Sequence, residues 1–194
     1  MSARFVYWMN VSLDGFIEHA PGESGGGDWM SIGEELHREF NARAAALTAM
    51  VQGRVVYEIM EAFWPAARTA ESLPGFLREY GEIWTSAPKV LVSSTRAEAP
   101  FTTTVVGGAD AVDRLAALKE EWGGEVGVGG ATLATALLDA GLLDELWLFT
   151  HPAVLGTGRP LFDRLDVPLR LERLEHAGFP GGVAFDRYAI AHRA

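Results

Sequence analysis

The 194-residue sequence contains no cysteine. Disulfides, thiol nucleophiles and cysteine-ligated metals are thereby excluded. Its five histidines, His19, His37, His151, His176 and His192, are scattered without paired metal-ligand spacing, and each reads as a surface or packed residue. Neither a Gly-x-x-x-x-Gly-Lys phosphate loop nor a Gly-x-Ser-x-Gly elbow occurs. Basic residues are the minority, 16 against 26 acidic ones for a net charge of −10. Such a surface suits neither nucleic acid nor an anionic membrane. It does not exclude an anionic cofactor, because screening over about 8 Å leaves that decision to local cations and helix ends. No apolar run approaches the length of a membrane span, and the N-terminal one is broken at Asn10 and Asp14. A cytoplasmic location is the expectation. The 48% hydrophobic and 22% charged content is that of an ordinary globule with a substantial core, and a single domain over 1–194 is expected.

The stretch from Gly124 to Leu138 organises the rest. It reads as a short strand, a glycine turn and a helix. Gly127, Gly129 and Gly130 let the backbone take unusual dihedrals and approach a ligand, and the free N–H groups opening the next helix attract anions. Thr132 is placed to cap that helix, and Leu133, Leu137 and Leu138 give it one apolar face. The full dinucleotide fingerprint wants a third glycine where Thr132 stands. Asp144 and Glu145 precede the next strand instead of ending it, so they make a poor ribose acid. On this stretch alone, a phosphate turn and a ligand-free tight turn are equally good readings.

Phe5 to Val11 reads as a buried first strand ending in Ser12-Leu13-Asp14-Gly15-Phe16-Ile17. Open α/β sheets gather ligands outside the carboxyl ends of their strands, which makes Asp14 a functional candidate; plain turn chemistry is the other reading. Glu18 to Gly33, with Pro21 and five glycines, is a long surface loop, either a lid or disorder. From Glu34 to Thr48 the spacing of Leu36, Phe40, Ala44 and Leu47 predicts a helix, with Glu35 and Glu39 off the stripe. A short strand over Ala49 to Gln52 leads into Gly53-Arg54, a second phosphate contact or a helix-start arginine in solvent. Phe63-Trp64-Pro65 ends that helix, and another short one lies around Phe76 to Ile83. The strand Lys89 to Val92 stops at Ser93-Ser94-Thr95-Arg96, where three hydroxyls and a cation suit a phosphomonoester, or form a polar turn. A strand at Thr102 to Val106 and a helix capped by Asp110, carrying Val112, Leu115 and Leu118, precede the central motif. Beyond it, Glu145 to Val154 is a strongly apolar strand. Leu169 to Leu174 and Val183 to Ala191, around Gly178 to Gly182, form an antiparallel terminal pair. Phe179, Phe185 and Tyr188 on that pair are either an exposed patch favouring a dimer or core. Strands alternating with helices, then strands alone, predict an α/β fold with a mixed, mostly parallel sheet and helices on both faces.

Four stretches, Ser12-Leu13-Asp14-Gly15-Phe16-Ile17, Gly53-Arg54-Val55-Val56-Tyr57-Glu58, Val90-Leu91-Val92-Ser93-Ser94-Thr95 and Gly127-Val128-Gly129-Gly130-Ala131-Thr132, fall in a telling order. Together they resemble the dihydrofolate reductase-like family, specifically stand-alone relatives of the reductase domain of the riboflavin-biosynthesis deaminase-reductase. Pro152 to Phe162 is similar to that family's late strand and turn. The resemblance implies a three-layer fold with a C-terminal antiparallel hairpin, an NADPH-dependent reductase and a homodimer. It places Gly53, Arg54 and Val55 at the cofactor phosphates, and Ser93, Ser94 and Thr95 at the adenosine 2′-phosphate. Gly129, Gly130, Ala131 and Thr132 would form the pyrophosphate turn, Ile17 would lie along the nicotinamide, and Asp14 would face the substrate as the catalytic carboxylate. The implied substrate is a small heterocycle: the phosphorylated aminouracil of riboflavin synthesis, or a folate- or pterin-like ring. The alternative from another class is a nucleotide-binding protein without catalysis. Two residues depart from the family pattern. Val56 replaces a threonine, a loss worth about 0.5–1.5 kcal/mol for one neutral hydrogen bond, and Gln52 replaces an apolar residue. The helix before Gly53, where dihydrofolate reductases carry a substrate acid, offers Glu35, His37 and Glu39, none of which aligns to that role.

Overall fold

A computed structural model of the chain describes residues 2–19, 27–165 and 168–191. Its frame is an eight-stranded sheet. Six strands run parallel: β1 (Arg4–Ser12), β3 (Ala49–Gly53), β4 (Lys89–Val92), β5 (Thr104–Val106), β6 (Glu125–Gly129) and β7 (Leu143–His151). The antiparallel hairpin of β9 (Leu171–Phe179) and β10 (Val183–Ile190) closes one side, giving the order β5-β4-β3-β6-β1-β7-β10-β9. Two short strands, β2 (Phe16–Glu18) and β8 (Arg159–Pro160), pair separately beside the carboxyl end of β1.

Strand periodicity decides the layers. Along β1, Phe5 and Tyr7 enter one core with Val126, Leu115, Leu133 and Leu137, while Val6 enters the other with Leu36, Phe40, Tyr57 and Trp84. Side chains two apart share a face, so a near-continuous apolar run fills both. The first core packs under α4 (Ala111–Glu121) and α5 (Ala131–Asp139). The second lies under α1 (Glu34–Ala46), α2 (Arg54–Ala67) and α3 (Gly75–Ser86). This is the mixed, mostly parallel sheet with helices on both faces and a terminal hairpin that the sequence pattern predicts.

Several local expectations are corrected. Pro65 does not end α2, which continues to Ala67; a proline in the last turn forfeits one ladder bond at most. β9 runs through Gly178 to Phe179, so the connecting turn is shorter than expected. Asp110 occupies the N-cap position of α4 without making a side-chain cap bond. Phe185 is fully buried, with Phe179 and Tyr188 partly covered, so the hairpin aromatics do not form the exposed patch offered as support for a dimer. The expected loop from Glu18 to Gly33 includes 20–26, which lie outside the described residues; its remainder after β2 holds no helix or strand.

Candidate functional site

The parallel strands all end on one edge of the sheet, and β4, β3 and β6 lie side by side there. That adjacency brings together the turns at Ser93, Gly53 and Gly129, which are far apart in sequence. Gly53 is the N-cap of α2 and Gly130 the N-cap of α5, and neither helix start has a side-chain cap. The two turns touch: a Cβ on Gly130 would lie 3.8 Å from both Cα and N of Gly53. Gly130 has φ +112 and ψ 127, a backbone state in which glycine alone is comfortable. The opening N–H groups of two helices, at Arg54 to Val56 and Ala131 to Leu133, therefore converge with their positive dipole ends together. Such a cradle fits a pyrophosphate.

The flanking side chains are more committed than the sequence suggests. Arg54 pairs with Glu58 at 2.7 Å, and Arg96 with Glu61 at 2.9 Å, so each cation already has an in-chain partner. Ser93 is buried, and its Oγ accepts the N–H groups of Thr95 (3.2 Å) and Arg96 (3.0 Å) and lies 3.4 Å from Thr95 Oγ1, which shapes the turn and leaves the hydroxyl of exposed Ser94 outward. Thr132 does not cap α5, because it lies one residue inside the helix. Its Oγ1 instead accepts from Arg159 at 2.8 Å. Arg159, brought from β8 and also paired with Asp163, is thus a third cation at this edge, one that sequence reasoning left in a turn.

Next to the cradle, on the α1–α3 side, lies a cavity of about 480 Å³. Gly129, Val56 and Gln52 form its cradle end, Ile17 and Asn10 one wall, and Trp8, Phe40, Trp64, Tyr80 and His37 an aromatic end. Four polar groups interrupt the apolar lining. Gln52 lines the cavity but is only 6% exposed, and its Oε1 is buried without a hydrogen-bond partner. Asn10 is fixed by His151. Ser31 N–H donates to His151 Nδ1 at 3.0 Å, so Nε2 carries the proton and donates to Asn10 Oδ1, also at 3.0 Å. Burial pushes the His151 imidazole down to about 4, keeping it neutral. His37 sits on α1 with Nδ1 3.1 Å from Asn41 Oδ1, and burial lowers its pKa as well. Burial raises that of Tyr80.

Of the other candidates, Ile17 lines the cavity, whereas Asp14 does not. Asp14 accepts from Ser12 Oγ at 2.7 Å and from the N–H groups of Leu155 (3.1 Å) and Gly156 (2.7 Å). These bonds, Ser12's foremost, hold its pKa below the ordinary carboxylate value. An ionised, solvent-exposed carboxylate with three donors fastens the loop after β1 to the loop after β7. Glu35 is exposed and Glu39 pairs with Arg43 at 2.6 Å, so among the three polar residues of α1 weighed for a substrate contact only His37 faces the cavity. Among the described residues no cluster of His, Asp or Glu could hold a metal ion, and no helix is long and apolar enough to cross a membrane.

Comparison with known proteins bears on the same frame. A family model described as the RibD C-terminal domain matches residues 5–185. Among curated proteins, the uncharacterized YyaP of Bacillus subtilis is 27% identical over 93% of this chain and 91% of its own length. The uncharacterized YwjB of the same organism is 28% identical over 92% and 94%. Among solved structures, a putative riboflavin biosynthesis protein from Shewanella sp. PV-4 superposes with a TM-score of 0.71 at 21% identity, covering 99% of this chain and all of that one. A dihydrofolate reductase from Enterococcus faecalis complexed with NADP(H) matches with a TM-score of 0.62 at 13% identity, again covering 99% of this chain and 100% of that chain. RibD from Acinetobacter baumannii matches over 58% of its own length, with a TM-score of 0.63 and 19% identity. At these identities the structural likenesses establish the dihydrofolate reductase-like fold.

Proposed function

Because the chain belongs to the RibD C-terminal domain family, we propose that it is an NADPH-dependent reductase of a small heterocyclic substrate. The observation that carries this reading is the meeting of two uncapped helix N-termini, at Gly53 and Gly130, beside an aromatic cavity. A dinucleotide needs an anion cradle continuous with an apolar slot for its reactive ring, and the two lie in contact here through Gly129 and Val56.

The backbone N–H groups of Arg54 to Val56 and Ala131 to Leu133 would hold the pyrophosphate, with Arg159 and Thr132 alongside. The exposed hydroxyl of Ser94, with that of Thr95 beside it, would take the adenosine 2′-phosphate beyond β4. When bound, the cofactor supplies a hydride. The chain's own contribution is orientation and exclusion of water: Ile17 and Asn10 wall the slot, and His151 keeps Asn10 in one rotamer. The cavity offers no carboxylate among its described residues, so the proton reaching the reduced product comes from water or from a neutral donor such as Tyr80. In this reading Asp14 positions two loops and touches neither substrate nor cofactor.

Titration of the purified protein with NADPH and NADH, followed by nucleotide fluorescence and thermal stability together, tests the proposal. Saturable binding with preference for NADPH is expected. Failure of both nucleotides to bind at millimolar concentration would overturn it.

A further inference from the structure

We propose that the aromatic end of the cavity binds an uncharged, planar heteroaromatic ring that carries no phosphate and donates a ring N–H or O–H to His37 Nε2. This rests on the reductase reading above and narrows its substrate.

The direction of that hydrogen bond follows from the residues behind His37. Asn41 Nδ2 donates to the carbonyl of Phe76 at 2.9 Å and to Glu79 Oε2 at 2.7 Å. Both partners are acceptors only, so the amide cannot be turned around and Oδ1 must face His37. Asn41 Oδ1 accepts from His37 Nδ1, which therefore carries the proton of the neutral imidazole. The lone pair is left on Nε2, which has no partner among the described residues, in a side chain only 6% exposed that lines the cavity. Glu79, at the far end of the relay, polarises the imidazole toward accepting. This acceptor, with no donor among the described residues, is open to one supplied by a ligand in the cavity.

The surroundings define the rest of the ligand. His37 lies within 5.9 Å, centroid to centroid, of the rings of Phe40, Trp64 and Tyr80, and Trp8 completes the box from β1. Aromatic walls of this kind favour a flat π-system. No arginine, lysine, aspartate or glutamate is among the described residues of the lining. A phosphate placed there would be stripped of water with no cation to meet it, which is strongly unfavourable. Selectivity against a phosphorylated ring is thus built into the lining itself.

The test uses quenching of the tryptophan fluorescence of the intact protein, with NADP+ at saturation. Its probes are lumazine, 1,3-dimethyllumazine, uridine and uridine 5′-monophosphate. Lumazine should bind about tenfold more tightly than its dimethyl derivative, which has no ring N–H, and uridine about tenfold more tightly than its monophosphate. His37→Leu should abolish the preference for lumazine without moving NADPH affinity, and His37→Gln, which retains an acceptor, should restore part of it. Equal binding of the two lumazines, equal binding of the uridine pair, or no binding of any ring at millimolar concentration would overturn the inference. Because the unaltered protein alone distinguishes the probes, the result does not depend on either variant folding. NADPH affinity on the same sample separates the two readings: its loss refutes the reductase, whereas its retention without ring discrimination refutes only this substrate class.

Discussion

His151 Nε2, at the end of β7, donates to Asn10 Oδ1 on β1 at 3.0 Å while its Nδ1 accepts from Ser31 N–H, so one buried imidazole ties the segment before α1 to the wall of the cavity. The arrangement works only for the neutral ring. A second proton would set Nδ1–H against the N–H of Ser31.

Acid should therefore weaken the fold in a defined window. The folded-state pKa of His151 is depressed, to about 4, below an unfolded value of 6.5. The unfolded chain then binds more protons, and this residue's contribution is complete above pH 6.5 and lost as pH falls toward 4. A depression of that size is worth about 3 kcal/mol at full effect. His37, also lowered by burial, adds in the same direction. Melting temperature measured from pH 7.5 to 4.5 should fall progressively, and His151→Gln should flatten the slope. A flat profile in the unaltered protein would contradict the neutral-ring geometry.

Asp14→Asn tests whether that carboxylate belongs to the chemistry or to the fold. Asparagine can still accept from Ser12, but its amide would face an N–H group of the Leu155-Gly156 turn. The expected outcome is a melting temperature lowered by a few degrees with NADPH affinity and turnover within about twofold of the unaltered protein. Loss of turnover at unchanged stability would return Asp14 to a catalytic role.

The layout of the sheet was legible in the sequence because it rests on local signals. Lys89 to Val92 is a strand with the expected bounds, and the Leu36, Phe40, Ala44 and Leu47 stripe faces the core as its spacing requires. Glycine turns at strand ends likewise announce the cradle. What escaped detection depends on partners distant in the chain. His37 looks like a lone histidine until α3 brings Phe76 and Glu79 to Asn41, and Asn41 four residues on is only a weak local hint. Arg159 belongs to a turn by its local sequence, and nothing local says that it reaches Thr132. Asp14 shows the converse: a carboxylate at a strand end has a functional look from its local turn, yet two of its three donors, the N–H groups of Leu155 and Gly156, come from a loop far along the chain.

Gln52 departs from the apolar residue usual before the glycine, and the structure gives that departure a consequence. Its Oε1 is buried without a hydrogen-bond partner, in a side chain that lines the cavity and is almost fully buried. Gln52→Met should stabilise the ligand-free protein by about 1–2 kcal/mol by removing an unsatisfied acceptor of similar volume. Nucleotide affinity should stay within about twofold, because the buried oxygen is out of a ligand's reach. Chemical denaturation and nucleotide titration of the same variant check both halves, and a destabilised variant would mean that Oε1 is already satisfied in the free protein.

The cradle makes the last prediction. Gly130→Ala forces alanine into φ +112, while the new Cβ would meet Val56 Cγ2 at 3.7 Å and Gly53 Cα at 3.8 Å, ordinary contacts. The stability cost therefore comes from the dihedral, about 1–3 kcal/mol. Any additional loss of nucleotide affinity must come from backbone that has shifted between the two helix ends, or from a phosphate denied its approach. A control separates strain from binding. Gly141, just past α5, has φ +69 and nothing within 4 Å of an added Cβ. Gly141→Ala should lower the melting temperature and leave NADPH affinity unchanged, whereas Gly130→Ala should lower both, with affinity falling by about tenfold or more. Equal nucleotide affinity in the two variants would remove the Gly130 turn from the phosphate site, however well its geometry suits an anion.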